Sequence, residues 1–194
     1  SAPSASSAVN SPTYHSPLIT NHSLFLTREV LCLRNLSTPE QLELLRPRLN
    51  LCRRVSLDYT GPGIGLGDFL HRELGSHKVE LCPFTSSFKA ELFPRLAAAF
   101  ESRALLVPIA RDIREDLHSI YRCTTNNGNI LYRAHSTPDG HADRTTALAL
   151  AVHAAQTAPP RPYAKSIGRK FALCGGRDDS YRYSFEPRTI AVIY

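Results

Sequence analysis

Val55-Ser56-Leu57-Asp58-Tyr59-Thr60-Gly61-Pro62-Gly63-Ile64-Gly65-Leu66-Gly67 is the stretch on which the fold turns. Residues 54–58 read as a short strand that ends in an acid, and a glycine-rich turn follows at once. A helix is expected beyond the turn, to about Glu73, with Gly75 to stop it. The turn is neither phosphate-binding fingerprint. A Walker A loop needs Gly-Lys-Ser/Thr, and Gly67 precedes Asp68; a G-x-G-x-x-G beginning at Gly61 would need glycine where Leu66 stands. A tight strand-to-helix turn explains the glycines by backbone freedom alone. Asp58 keeps two readings: an acid that caps the turn, or a ligand group at the C-terminal edge of a strand, where α/β folds place their chemistry.

Outward from this stretch, strands and helices alternate. Residues 24–33 read as a strand, with Leu18 and Ile19 as a hairpin partner through Asn21-His22-Ser23. Thr38, Pro39 and Gln41 mark a helix start, with Thr38 as cap, and Leu42, Leu45 and Leu49 form its apolar stripe. Pro47 is expected to distort its last turn. Residues 78–82 are another strand, ended by Pro83. Residues 86–102 are a helix with Phe88, Leu92, Leu96 and Phe100 in register, which Pro94 should kink or split. A short strand at 104–107, a helix at 112–122, a turn at Asn126-Asn127-Gly128-Asn129 and a returning strand at 130–134 follow. Residues 141–155 are alanine-rich and apolar on most faces, which indicates a buried helix. The order predicts an α/β layer fold with a mixed sheet.

The 194 residues suit one domain with tails. Residues 1–17 are Ser/Ala/Pro-rich and uncharged and read as disordered; 18–157 form the domain; 158–194 form a basic tail. Seven basic residues from Arg161 to Arg188 face three acids, so the tail holds +4 of the net charge of +6. A positive balance permits a polyanionic partner without establishing one. No apolar run reaches membrane-spanning length, and no membrane partner is expected. Five widely spaced cysteines without a C-x-x-C argue against a disulfide scaffold and a zinc ribbon. Cys32 and Cys82 read as small buried hydrophobes. A second acidic cluster, Asp139-Gly140-His141-Ala142-Asp143-Arg144, opens the buried helix. The helix dipole favours an acid there, and a rigidly held catalytic carboxylate is the other reading. His141 is a metal ligand, a hydrogen-bond partner or a polar residue near a helix start.

The run from Val55 to Gly65 resembles the hydrophobic-Asp-x-Thr-Gly-x-Gly element in the nuclease domain of tailed-phage terminase large subunits, nearest the Mu-like branch. Thr27-Arg28-Glu29-Val30-Leu31, Lys78-Val79-Glu80 with Phe84-Thr85 and Lys89-Ala90-Glu91-Leu92, and Gly140 to Arg144 followed by Ala147 to Ala151 resemble the same family in order, over roughly residues 24–155. The resemblance implies an RNase H-like mixed sheet with helices on both faces. The strand ending at Asp58 would be central and the 18–33 hairpin an antiparallel edge. It implies an endonuclease that cleaves double-stranded DNA with two divalent metals, Mg2+ or Mn2+. It also implies packaging partners such as a portal and a small terminase, in the cytoplasm of a bacterial host or as part of a prophage. On this mapping Asp58 and Asp143 are catalytic metal ligands, and His141 and Asp139 are further metal-site candidates. Lys89 and Arg144 are weaker candidates for phosphate contact. No Asp or Glu precedes Glu29, so the family's first catalytic Asp has no counterpart. The expectation is a domain truncated at its N-terminus with impaired cleavage, or, alternatively, a non-catalytic DNA-binding or packaging-associated module of the same fold.

Overall fold

The computed structural model describes residues 24–135 and 142–159, and the backbone of 188–193. The hairpin partner at Leu18 and Ile19, both tails apart from that strand, and Asp139 and His141 lie outside the described residues.

Strand β1 is Phe25–Leu31, helix α1 Thr38–Leu51, β2 Val55–Asp58, α2 Gly63–Leu74, β3 Val79–Cys82 and α3 Ser86–Glu101. After these come β4 Leu105–Leu106, α4 Arg111–Ser119, β5 Ile120–Thr124, β6 Ile130–Ala134, α5 Asp143–Thr157 and β7 Arg188–Ile193. The class is mixed α/β, as expected, but the sheet is divided. Among the described residues β4-β1-β7 form one sheet, β2-β3 a second and β5-β6 a third. β1 is central in its sheet and pairs in parallel with β4 and β7. Among the described residues β1 thus lies between two parallel neighbours, not at the antiparallel edge expected of residues 18–33. β2, expected at the centre of one sheet, pairs in parallel with β3 alone among the described residues.

Local chemistry explains the smaller departures. Ser37, not Thr38, caps α1: Glu40 Oε2 accepts the Ser37 backbone N–H at 2.7 Å, which moves the capping pair one residue back. α3 runs unbroken past Pro94. Burial of Leu92, Phe93, Leu96 and Ala99 on both sides of it offsets the ~3 kcal/mol an interior proline costs. α4 stops at Ser119 because Ile120–Thr124 pair with Ile130–Ala134 across the Asn126–Gly128 turn.

Two cores flank the β2-β3 pair. On one face Val55, Leu57, Val79 and Leu81 pack against Leu42, Leu45 and Leu49 of α1 and Leu66, Leu70 and Leu74 of α2. On the other, Cys82 joins a cluster built by Leu92, Phe93 and Leu96 of α3, Leu148, Ala149 and Val152 of α5, and Phe25 of β1. Helices therefore cover both faces of this pair, as the resemblance implies. Cys82 is buried, but Cys32, just beyond β1, is exposed. No helix among the described residues is long and apolar enough to cross a membrane.

Candidate functional site: the polar face of β2 and β3

The glycines after Asp58 have a packing reason. A Cβ on Gly63 would run into the Asp58 carbonyl oxygen, and one on Gly67 would lie 2.9–3.2 Å from Tyr59, Leu81 and Leu57 side-chain carbons. The first allows the helix to start against the strand end; the second lets α2 lie on the apolar face of the pair. Tyr59 N–H donates to the Cys82 carbonyl (2.9 Å), and Phe84 N–H donates to Thr60 Oγ1 (3.1 Å), so the ends of β2 and β3 are tied together.

The register is Val55↔Val79, Ser56↔Glu80, Leu57↔Leu81 and Asp58↔Cys82. Alternate residues point to opposite faces. With the leucines and valines against α1 and α2, Ser56, Asp58, Glu80 and Cys82 share the face that α5 and α3 cover. His153 of α5, 7% exposed, meets them there: its Nε2 lies 3.2 Å from Glu80 Oε1. Glu80 Oε2 accepts from Ser56 Oγ (3.1 Å) and pairs with Arg54 (3.1 Å). The far side of the imidazole, Nδ1, lies 3.1 Å from Arg95 Nη1, and the Phe88 ring stands edge-on to it.

The guanidinium can only donate, so His153 Nδ1 accepts and Nε2–H donates to Glu80. Burial pushes the Glu80 carboxyl up, but His153 and Arg54 outweigh it and hold the group below the usual carboxylate range. Burial, helped by the Glu80 charge, pushes the Cys82 thiol up to about 12. Asp58 Oδ1 is buried and accepts no hydrogen bond from the described residues, so its carboxylate does not spend that oxygen on capping the turn.

Asp143 stands exposed in the first turn of α5. Ten residues separate it from His153, about 15 Å along a helix. The residue of α5 that meets Glu80 is His153. The start of α5 is instead held by α4. Asp116 Oδ2 accepts the backbone N–H groups of Arg144 (2.7 Å) and Thr145 (3.2 Å), and Asp112 pairs with the Arg144 side chain (3.1 Å). Arg144, read as a phosphate contact, is 14% exposed and engaged by an acid. Lys89 lies over the Phe84 ring, 5.1 Å from its centroid. Glu80, Cys82, His153, Arg54 and Arg95 were not singled out as site residues in the sequence. The signal was the alternation of V-E-L-C beside V-S-L-D, which gives both strands one apolar and one polar face. An open cleft of about 520 Å³ lies elsewhere, at the β5-β6 turn, lined by Cys123, Asn126, Asn127 and Arg133 among others, and contains no carboxylate.

One solved structure, the large terminase nuclease from thermophilic phage G20c, matches with a TM-score of 0.53 at 23% identity, over 66% of this chain and 66% of that one. The fold is similar to that of a phage large terminase nuclease. A second structure of that nuclease, with bound magnesium, matches with a TM-score of 0.49 at 25% identity, over 61% of this chain and 62% of that one. The chain thus spans about two-thirds of these nuclease structures or less. No protein-family model matches the sequence, and no curated protein matches it closely enough to count.

A pair of magnesium-class ions needs several oxygen ligands, chiefly free carboxylates. Asp58 Oδ1 fits one such ligand. The neighbouring acids do not complete the set. Glu80 is held by Arg54, Ser56 and His153, Asp116 is spent on the α5 backbone, and Asp112 on Arg144. Among the described residues, the group of three candidate ligands that converges is Glu80, Cys82 and His153, which brings nitrogen and sulfur. The described residues of the β2-β3 polar face do not by themselves complete a two-magnesium centre; Asp143, exposed in the first turn of α5, is a described acid outside that set.

Proposed function

We propose that this chain is a terminase-type nuclease domain of RNase H-like descent that acts on double-stranded DNA with weak cleavage. The observation that carries the reading is a terminase-nuclease-like fold in which a buried carboxylate oxygen, Asp58 Oδ1, unpartnered among the described residues, stands at the end of a parallel strand. On this reading Asp58 is the acid on which cleavage depends, and Asp143 is the second. His141 and Asp139 contribute to a site for Mg2+ or Mn2+. The setting is the packaging of phage or prophage DNA in a bacterial host, alongside a portal and a small terminase. Weak cleavage follows from the engaged state of Glu80, Asp112 and Asp116.

The engagement of Glu80, Asp112 and Asp116 by neighbouring donors supports a second reading, in which the domain holds DNA without cutting it. The basic tail would then act through phosphate contacts, independent of sequence and weakened by salt.

Paired measurements on the whole chain test both: retention of duplex DNA across a salt series, and nicking of supercoiled plasmid with Mn2+, each for wild type and Asp58→Asn. Retention that falls steeply with salt is expected in both proteins, with slow nicking that vanishes in Asp58→Asn. Retention with no nicking at all selects the binding module. Fast nicking that Asp58→Asn abolishes would refute the weak-cleavage argument. Absence of retention at low salt would refute both readings.

A further inference from the structure

We infer that Glu80, Cys82 and His153 form a binding site for one divalent cation of the zinc or cobalt class, with Asp58 Oδ1 available as a fourth donor. The site differs in ligand chemistry from a magnesium pair, and it does not rest on the nuclease reading.

Geometry comes first. The three donor atoms, a Glu80 carboxylate oxygen, Cys82 Sγ and a His153 ring nitrogen, all lie within 4.8 Å of one another. Nitrogen and oxygen ligands at about 2.0–2.1 Å from a tetrahedral ion sit about 3.3 Å apart. His153 Nε2 and Glu80 Oε1 are separated by 3.2 Å, so this pair already has the spacing of two ligands. Asp58 is the register partner of Cys82 on the same face, and its Oδ1 is buried with no partner among the described residues. A ligating carboxylate is commonly fixed through its other oxygen. Here Arg54 and Ser56 hold Glu80 Oε2 and leave Oε1 toward the imidazole.

Donor type then selects the ion. Thiolate, imidazole and carboxylate together suit zinc or cobalt, whereas magnesium prefers oxygen alone. Charge agrees: the Glu80 carboxylate and a Cys82 thiolate offset the two positive charges of the ion within a largely buried face.

Binding moves protons in a defined way. Without metal, the thiol is protonated and Nε2–H donates to Glu80. With metal, the Cys82 S–H bond breaks, sulfur bonds the ion and one proton leaves to solvent. The imidazole proton shifts from Nε2 to Nδ1, and Nε2 presents its lone pair. Arg95 must then leave Nδ1. It has a second partner on its own helix, Glu91, at 3.6 Å, and its side chain is 42% exposed, so it has room to turn.

The test uses the full chain stripped with chelator and titrated with Co2+. One equivalent is expected to produce the thiolate-to-cobalt charge-transfer band and the d–d bands of tetrahedral cobalt. About one proton should be released per ion. Zn2+ should displace the signal and excess Mg2+ should not. Cys82→Ser should abolish the charge-transfer band, Cys52→Ser and Cys123→Ser should retain it, and Ser56→Ala should weaken binding about tenfold. X-ray absorption of the wild-type zinc form needs no variant and should show one sulfur at about 2.3 Å with nitrogen and oxygen neighbours. A missing charge-transfer band, a band that persists in folded Cys82→Ser, or a sulfur-free zinc shell would overturn the site. None of these readouts involves DNA, so their failure leaves the nuclease reading standing, and its failure leaves them standing.

Discussion

Replacing Glu80 by glutamine tests the polar face most directly. Both carboxylate oxygens accept from donors: Oε2 from Ser56 and Arg54, Oε1 from His153 Nε2–H. A glutamine has one oxygen and one NH2 group. Whichever way the amide turns, a donor faces a donor. Hydrogen bonds to a charged group contribute about 1.5–3 kcal/mol. The Glu80 and Arg54 side chains are 28% and 21% exposed, so screening argues for the lower half, about 1.5–2 kcal/mol. For a domain of this size that is a fall in Tm of about 4–8 °C. The pH dependence has a definite sign. The folded-state carboxyl of Glu80 is held below its ordinary value. Its contribution is therefore complete above the unfolded-state pKa, about 4.3, and is lost as pH falls through the folded value. Urea unfolding of wild type and Glu80→Gln, followed by circular dichroism with chelator present, should show the full gap at pH 7 and a narrowing gap below about pH 4.3. A gap under about 0.5 kcal/mol at pH 7, the range of an ordinary surface change, would refute the reasoning. So would a gap unchanged from neutral to strongly acid pH.

Other substitutions probe the elements that position this face. Asp116→Ala removes the acceptor for two backbone N–H groups at the start of α5, whose own first residue is preceded by Ala142 rather than a capping side chain. It should cost about 1–2 kcal/mol in urea unfolding, with Asp116→Asn retaining part of the loss. Gly65→Ala meets nothing within 4 Å and should stabilise α2 by about 0.5–1 kcal/mol. Gly67→Ala makes the same gain in helix propensity but crowds Tyr59, Leu81 and Leu57, at about 1–3 kcal/mol. Its midpoint should fall below that of Gly65→Ala, and equal midpoints would deny the close approach of α2 to the sheet.

The elements legible in the sequence are those whose signals are local. Asp58 followed by glycines marks a strand-to-helix turn, and the Asn126–Asn129 turn marks a hairpin, because a few residues determine each. Pro94 misleads for the opposite reason. Its cost is local, but the burial of Leu92, Phe93 and Leu96 that offsets it depends on α5 and β1, far away in sequence. The sheet order is misread likewise: nothing in residues 25–31 says that Leu105–Leu106 pairs in parallel with Phe25 and Leu26 on one side and Arg188–Ile193 with the strand on the other.

The polar face shows the same division inside a single site. That Val55, Leu57, Val79 and Leu81 form an apolar face follows from alternation, and it follows equally that Ser56, Asp58, Glu80 and Cys82 form the opposite one. What alternation cannot supply is the ligand that arrives across the gap. His153 lies in an alanine-rich helix where every turn offers a small apolar side, and Asp143 is the charged residue that draws the eye. Which residue of α5 faces Glu80 is set by the anchoring of the helix, not by its own sequence. Asp116 and Asp112 fasten its first turn to α4, Phe88 and Arg95 receive it from α3, and the residue left opposite Glu80 is the histidine. Position along a helix, rather than residue type, thus decides which side chain meets Glu80. Through that side chain it also sets the chemistry: nitrogen beside sulfur on one face, and a carboxylate left exposed about 15 Å along the helix.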